Sequence, residues 1–91
     1  MESMQATTRT VTITVLAFAA YREAIGSKEL RLALPAGSTA AQAYRQLEGQ
    51  APALRALRPY TTFAVNREVV DEDAVLEEGD ELALLQPVSG G

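Results

Sequence analysis

The sequence predicts an α+β domain in which one sheet is covered on one face by a single principal helix. Between the second and third predicted strands lies one long stretch with helical spacing, residues 39–49. Ninety-one residues, 47% of them hydrophobic, fit one small globular domain. Strand-like apolar runs recur along the chain at 11–18, 29–34, 61–65, 68–70 and 81–86.

The first predicted strand, 11–18, has two different faces. One face is apolar throughout and should point to the core. The other begins with threonines and turns apolar at Leu16 and Phe18. These two side chains either pack under a second layer or form an exposed patch for a partner. The core-facing set is Val11, Ile13, Val15 and Ala17.

Two helices are predicted from their end signals. Residues 19–26 carry helix formers followed by Gly26, which suits a left-handed C-cap. Thr39 and Gln42 have the spacing of a capping box, in which each side chain satisfies a free backbone N–H. The longer helix then presents one apolar face, and its tyrosine is interpreted as a core residue rather than a cofactor contact. That face consists of Ala40, Ala43, Tyr44 and Leu47.

The stretch between the long helix and the third strand, 50–60, is predicted to be irregular because Pro52 and Pro59 act as breakers. Asn66-Arg67 should form the turn into the short fourth strand. The acidic connection 71–78 that follows is predicted to be pinned to the domain by Val75 and Leu76.

The last predicted strand, 81–86, is apolar on both faces. Such a strand is typical of the centre of a sheet. We therefore expect it to lie beside the first strand and parallel to it, after a long crossover. Pro87 lacks an N–H and should end the pairing. Leu82 and Leu84 form one face, and Ala83 and Leu85 form the other.

Composition excludes several kinds of chemistry. The chain has no cysteine and no histidine, so it lacks a thiol nucleophile and the commonest general base and metal ligand. The net charge is −4, and no Lys or Arg follows Arg67. Nucleic-acid binding is disfavoured, since it depends on basic residues. The acidic residues in 71–81 indicate either that the partner surface is basic or that these residues only keep the protein soluble. No membrane span or signal peptide is recognised, so a cytoplasmic protein is expected.

The C-terminal residues 87–91 are the candidate reactive segment. Gly90 and Gly91 lack a Cβ, which gives a thin, flexible end able to enter a narrow channel. A terminal carboxylate at Gly91 is the group on which chemistry is expected. The predicted organisation is a disordered extension at 1–10, a domain at 11–87 and a flexible functional tail at 88–91.

Three stretches carry a resemblance to a known family. They are Phe-Ala-Ala-Tyr-Arg-Glu-Ala-Ile-Gly at 18–26, Val-Asn-Arg at 65–67, and Leu-Glu-Glu-Gly-Asp-Glu-Leu-Ala at 76–83 with Pro-Val-Ser-Gly-Gly at 87–91. Together they resemble the small subunits of molybdopterin synthase, sulfur carriers of the ubiquitin-like β-grasp fold. Gln86 departs from the family, which usually has a proline there, and residues before Val11 have no counterpart.

The resemblance implies a mechanism centred on Gly91. Its carboxylate would be adenylated from ATP by an enzyme resembling the ubiquitin-activating enzyme, and a sulfurtransferase would supply the sulfur of a thiocarboxylate. That sulfur would then be donated to cyclic pyranopterin monophosphate, forming the molybdopterin dithiolene, in the active site of a large subunit. The carrier itself would bind no cofactor or metal, and the assembly would contain two large and two small subunits.

The resemblance also assigns roles to other residues. Val88, Ser89 and Gly90 would thread the channel of the partner. Strand alternation makes Leu16, Phe18 and Leu85 the candidates for docking on it. Arg22 and Glu23 occupy motif positions and are interpreted as a structural or docking pair without a catalytic role.

Three alternatives remain open at this point. The first is a sulfur carrier for thiamine or cysteine synthesis or for tRNA thiolation. The second is a ubiquitin-like modifier that is joined to lysines of target proteins. The third is an interaction domain of the same fold whose Gly-Gly ending has no chemical role.

Overall fold

The computed structural model describes residues 9–86 and contains one five-stranded mixed sheet. The predicted extension up to residue 8, and the tail from residue 87, lie outside the described residues. The strand order is β2-β1-β5-β3-β4, with β1 and β5 parallel and the other pairs antiparallel. The elements are β1 (Thr10–Ala17), α1 (Ala19–Ile25), β2 (Glu29–Pro35), α2 (Ala40–Gln50), α3 (Leu54–Leu57), a 3₁₀ turn (Arg58–Tyr60), β3 (Thr62–Val65), β4 (Glu68–Val70) and β5 (Glu81–Leu85).

The domain starts slightly earlier than predicted. Thr10 is already part of β1 and pairs with Pro35. The carbonyl oxygen of Arg9 accepts a hydrogen bond from the Ala36 N–H at 2.8 Å. Residues 9 and 10 therefore belong to the start of β1 rather than to an extension, because their backbone groups have partners.

β5 is the central strand, as its two apolar faces predict. It pairs with β1 through Val15–Leu82 and Ala17–Leu84, and with β3 through Val65–Leu82 and Phe63–Leu84. Leu82 and Leu84 are fully buried. The parallel pairing with β1, reached after a long crossover, is confirmed, and it places the end of β5 at the same edge of the sheet as the end of β1.

The principal helix α2 covers one face of the sheet and begins as predicted. The Thr39 hydroxyl oxygen accepts from the Gln42 N–H at 3.2 Å, and the Gln42 Oε1 accepts from the Thr39 N–H at 2.8 Å. Tyr44 is a core residue whose hydroxyl donates to the Leu54 carbonyl at 2.6 Å. Burial raises the pKa of that hydroxyl. The predicted apolar face of Ala40, Ala43, Tyr44 and Leu47 is entirely buried.

Residues 50–60 are not irregular, and the prediction that their prolines break structure is wrong. Pro52 comes just before α3, and its carbonyl accepts from the Arg55 N–H at 3.0 Å. Pro59 lies in the first turn of the 3₁₀ segment. A proline is tolerated in the first turn of a helix because its missing N–H has no partner there. Leu54, which is fully buried, holds α3 against the core.

The acidic connection after β4 is anchored by one of the two predicted residues. Leu76 is buried, and its N–H donates to the Ser38 carbonyl at 2.8 Å. The Val75 side chain is 54% exposed, so its predicted anchoring role is wrong. Val75 contributes only its backbone, which forms an isolated bridge with Thr39. Hydrogen bonding of the backbone replaces side-chain burial at this position.

The start of β5 is fixed by a polar network among residues of the Val-Asn and Gly-Asp-Glu motifs. Asn66 has a φ of 51°, which asparagine tolerates, and turns β3 into β4. Its Nδ2 donates to Asp80 Oδ1 at 2.9 Å, and its Oδ1 accepts from the Glu81 N–H at 3.0 Å. Asp80 Oδ2 also accepts from the Glu77 N–H at 2.7 Å. The Val-Asn and Gly-Asp-Glu motifs thus hold the entry of the central strand.

We predict that Asn66→Asp destabilises the domain by about 2 kcal/mol at neutral pH, because a carboxylate replaces the amide that donates to Asp80. This loss in the free energy of unfolding should become smaller as the pH falls into the range where carboxylates protonate. Urea unfolding at several pH values measures it. Asn66→Gly is the control, since it removes the side chain but keeps the turn, and its deficit should lack this recovery at low pH.

Candidate functional site

The face of the sheet opposite α2 carries an apolar row that crosses four strands. Leu16 of β1 lies beside Ala83 of β5, Ala83 beside Ala64 of β3, and Ala64 beside Val69 of β4. Ala64 is only 4% exposed although its neighbour Phe63 faces the main core. Since successive side chains of a strand point to opposite faces, Ala64 is buried beneath residues of this outer face.

A shallow concavity of about 410 Å³ lies along this row, and we call its lining the outer patch. Phe18 is 51% exposed and Val69 is 72% exposed, so within residues 9–86 no second layer covers them. Arg67 and Glu81 place opposite charges at the rim. The complete lining is Leu16, Phe18, Ala64, Arg67, Val69, Glu81, Ala83 and Leu85.

The structure brings the three predicted docking residues together in this patch. Leu16, Phe18 and Leu85 come from β1, from the residue after β1, and from the end of β5. Ala64, Val69 and the two charged rim residues were not predicted from the sequence. Of these residues, Val69 was the easiest to predict from the sequence. The antiparallel register of β3 and β4 across a two-residue turn places it opposite Ala64. The docking role of the patch stays a prediction.

The end of β5 is anchored by a tyrosine of α1 that lies in the hydrophobic core. Tyr21 of α1 is buried, and its hydroxyl lies 2.9 Å from Thr61 Oγ1 and 3.4 Å from the Leu85 carbonyl oxygen. Thr61 Oγ1 in turn donates to the Leu57 carbonyl at 2.7 Å. Since the Thr61 proton goes to the Leu57 carbonyl, the single Tyr21 hydroxyl proton is shared between Thr61 Oγ1 and the more distant Leu85 carbonyl oxygen. This network fixes the point from which the chain leaves the sheet towards Gly91.

The remaining predicted site residues fall into two groups. Arg22 and Glu23 both lie exposed on α1, and the Arg22 carbonyl accepts from the Gly26 N–H at 2.7 Å, so it takes part in the predicted C-cap. Their role as a docking pair is not tested by these contacts. The tail residues form the second group and lie outside the described range: Val88, Ser89, Gly90 and Gly91.

A second concavity, of about 530 Å³, lies beside the edge of the sheet, but the basic residue in it already has partners. The Arg58 guanidinium carbon lies 5.1 Å from the centroid of the Phe63 ring and 5.7 Å from that of Tyr44. The same guanidinium is paired with Glu72. These contacts are those of a structural clamp that joins β3, α2 and the acidic connection.

The described part of the chain offers neither a metal site nor a membrane-spanning helix. The acidic side chains of residues 9–86 form no cluster that could hold a metal ion. Each helix in that range is too short or too polar to cross a membrane.

Comparison with known proteins identifies the family. The model of the ThiS family matches residues 15–91, which include both the outer patch and the tail. The chain belongs to the ThiS family. This ThiS-family chain is also 38% identical to an Arabidopsis thaliana protein named molybdopterin synthase sulfur carrier subunit, over 92% of this chain and 88% of the relative. A Homo sapiens protein of the same name is 35% identical, over 87% and 93% of the two chains.

Solved structures show the fold of this ThiS-family chain independently. The small archaeal modifier protein 1 of Haloferax volcanii has a TM-score of 0.77 and 28% identity, covering 86% of this chain and 99% of that one. A Helicobacter pylori chain from a complex of subunits 1 and 2 of molybdopterin-converting factor has a TM-score of 0.61 and 21% identity, covering 89% and 100%. The predicted ubiquitin-like β-grasp fold is therefore confirmed.

We predict that Tyr21→Phe loosens the end of β5, because the hydroxyl that contacts Thr61 and the Leu85 carbonyl is lost. The free energy of unfolding should fall by about 1–2 kcal/mol. Amide hydrogen exchange should accelerate most at the C-terminal end of β5. Tyr60→Phe is the matched control, since Tyr60 is 62% exposed and should change stability by less than about 0.5 kcal/mol.

Proposed function

We propose that this chain is the sulfur carrier subunit of a molybdopterin synthase. The observation that carries the proposal is its 35–38% identity, over most of both chains, to relatives that bear this name. The structure supports it, because an exposed apolar patch lies next to the strand end from which the Gly-Gly tail departs. A carrier of this kind needs a surface that binds the partner and a tail that delivers the sulfur.

The chemistry would take place on the Gly91 carboxylate. A free carboxylate is a poor electrophile because its leaving group would be an oxide. Joining Gly91 to AMP at the expense of ATP supplies a good leaving group, and sulfur from a sulfurtransferase then replaces AMP to leave a thiocarboxylate. That sulfur would attack cyclic pyranopterin monophosphate, and two such transfers would build the dithiolene.

The acid–base groups of the transfer would belong to the partner. The chain has no histidine and no cysteine, so it would contribute position rather than proton transfer. The partner is proposed to be a large subunit, in an assembly of two large and two small subunits. The Helicobacter pylori neighbour comes from a complex of subunits 1 and 2 of molybdopterin-converting factor, which supports a partner subunit for this chain. ATP-dependent activation would place the chain in the cytoplasm.

The outer patch would dock on the large subunit and on the adenylating enzyme. Its centre is apolar, while Arg67 and Glu81 at the rim can set orientation through charge. Six residues, the length of the segment 86–91, span at most about 20 Å when fully extended. Val88, Ser89 and Gly90 would thread the narrow channel of the partner, since none of them has a bulky side chain.

One specific observation favours a second candidate, a ubiquitin-like modifier. The structural neighbour from Haloferax volcanii, at 28% identity, is named a modifier protein. Both functions would begin with adenylation, so the tail cannot separate them. Isopeptide conjugates recovered from cells would favour the modifier, whereas a thiocarboxylate that converts the pterin precursor would favour the carrier. Carriers for thiamine, cysteine or tRNA thiolation would yield a thiocarboxylate that the molybdopterin pathway does not use.

We predict that intact mass spectrometry shows the gain expected for replacing one oxygen by sulfur, localised to Gly91. The reaction contains the chain, ATP, a cognate activating enzyme and a sulfur source. A variant with one alanine appended after Gly91 is the control, since its Gly91 has no free carboxylate, and it should gain no sulfur. If the wild-type chain gains none with an enzyme proven active on another carrier, the proposal fails.

We predict that Phe18→Asp weakens binding to the large subunit by at least about tenfold, because it places a charge in the middle of an apolar contact. Stability should change little, since Phe18 is 51% exposed. Val75→Asp is the matched control, because Val75 is similarly exposed but lies outside the patch. Titration calorimetry measures both, and equal affinities for the two variants would rule out docking through the outer patch.

A further inference from the structure

Arg67 occupies a backbone position that suits glycine. Residues 66 and 67 are the central residues of the turn between β3 and β4, since Val65 pairs with Glu68. Both have a positive φ, 51° at Asn66 and 75° at Arg67. A two-residue turn of this kind prefers asparagine followed by glycine, because a Cβ is disfavoured in the left-handed region. Arginine at the second place therefore costs stability.

The contacts of the turn account for Asn66 but not for Arg67. The Asn66 side chain makes two hydrogen bonds to the start of β5. The Arg67 side chain is exposed and makes no hydrogen bond or ion pair within residues 9–86. The single ion pair in that range joins Arg58 to Glu72. Nothing in the described fold offsets the backbone cost of Arg67.

The Arg67 side chain lies at the rim of the outer patch and is the one basic group in its lining. Glu81 is at the same rim, but the two side chains do not form an ion pair. The guanidinium is always charged and presents a rigid fork of N–H donors that matches a carboxylate. Solvation alone does not explain its position, because an arginine in water needs no particular φ.

The other residue with an unusual backbone conformation borders the same patch. Within residues 9–86, the non-glycine residues with a positive φ are Ala19, Asn66 and Arg67. Ala19 has a φ of 49° and directly follows Phe18, which lines the patch. Strained backbone is concentrated at functional sites, where the strain is part of how the site is built. Both positions that lack a local explanation thus flank the outer patch.

We propose that Arg67 is a specificity-determining residue of the outer patch and that its guanidinium binds a carboxylate on the large subunit. This inference rests on the proposed function, which names that partner. The apolar row would supply the contact area, and Arg67 would fix the orientation. A protein with a basic group at the facing position would repel Arg67, and one with an apolar group would leave it unpaired, so both would be rejected.

Stability and binding should respond to Arg67 in opposite directions. Arg67→Gly removes the side chain together with the backbone strain, so the midpoint of urea unfolding should rise. The same change should weaken binding to the large subunit about tenfold at low salt, because the ion pair is lost. A residue with a purely structural role would lower the urea midpoint instead.

The test is titration calorimetry of the full chain with the purified large subunit at two salt concentrations, together with urea unfolding. Arg67→Glu keeps the strained Cβ and reverses the charge, so it should bind more weakly than Arg67→Gly. Arg67→Lys keeps the charge without the fork, so its affinity should lie between those of wild type and Arg67→Gly. The advantage of wild type should become smaller at the higher salt concentration, where the ion pair is screened.

Arg55→Ala is the matched control. Arg55 is exposed on α3 and lies outside the lining of the patch, and its loss changes the net charge by the same amount as Arg67→Gly. Its affinity for the large subunit should stay within about twofold of wild type. If Arg55→Ala and Arg67→Gly weaken binding equally, net charge explains the effect and the inference is overturned.

Three other results would also overturn it. The first is equal affinity of wild type and Arg67→Gly for the large subunit at low salt. The second is a lower urea midpoint for Arg67→Gly, which would give the side chain a role in the fold. The third is self-association of the chain that Arg67→Gly abolishes, measured by sedimentation, which would place the carboxylate on Glu81 of a second copy.

The two proposals fail differently. If Phe18→Asp weakens binding and Arg67→Gly does not, the role of Arg67 is overturned while docking of the carrier through the outer patch stands. If the wild-type chain does not bind a large subunit shown to be active with another carrier, both proposals are overturned.

Discussion

The parallel pairing of β1 with β5 is the constraint on which the rest of the structure depends. It joins the two ends of the described chain at the centre of the sheet, with Val15 opposite Leu82 and Ala17 opposite Leu84. Because the strands are parallel, both end at the same edge. This single fact brings Phe18, α1 and Leu85 together, so the outer patch extends to the end of β5.

Polar side chains contact β5 at both of its ends. At the start, Asn66 and Asp80 link the β3–β4 turn to the strand, so the motif positions there serve structure. At the far end, the Tyr21 hydroxyl contacts the Leu85 carbonyl oxygen and Thr61, and Leu85 is paired with Thr62 of β3. The central strand is thus held by polar contacts at both ends, with the larger network at its start.

Much of the fold followed from local patterns in the sequence. Strand-like apolar runs located all five strands, and the two apolar faces of 81–86 identified the central one. The capping box located α2 because its two hydrogen bonds depend on residues three apart. The segment 50–60 was missed because a proline has opposite meanings inside a helix and in its first turn. Only the burial of Leu54 and its contact with Tyr44, both long-range features, decide between them.

The site was partly predictable for the same reason. Leu16, Phe18 and Leu85 followed from alternation within single strands. Ala64 and Val69 required the register between strands, which depends on the pairing of a short hairpin. Val75 failed as an anchor because hydrophobicity alone does not say whether the backbone or the side chain makes the contact. No sequence pattern predicts that Arg67 and Glu81 lie at the rim, since only the pairing of the strands brings them to the patch.

The geometry of β5 has a mechanical consequence. Force applied to the tail, as when a partner grips or withdraws it, acts along the axis of β5. Hydrogen bonds to β1 and β3 run across that axis, so they are loaded in shear and share the load. A strand at the edge would instead peel away bond by bond. The central place of β5 therefore lets this small domain be pulled by its C-terminus without unravelling from that end.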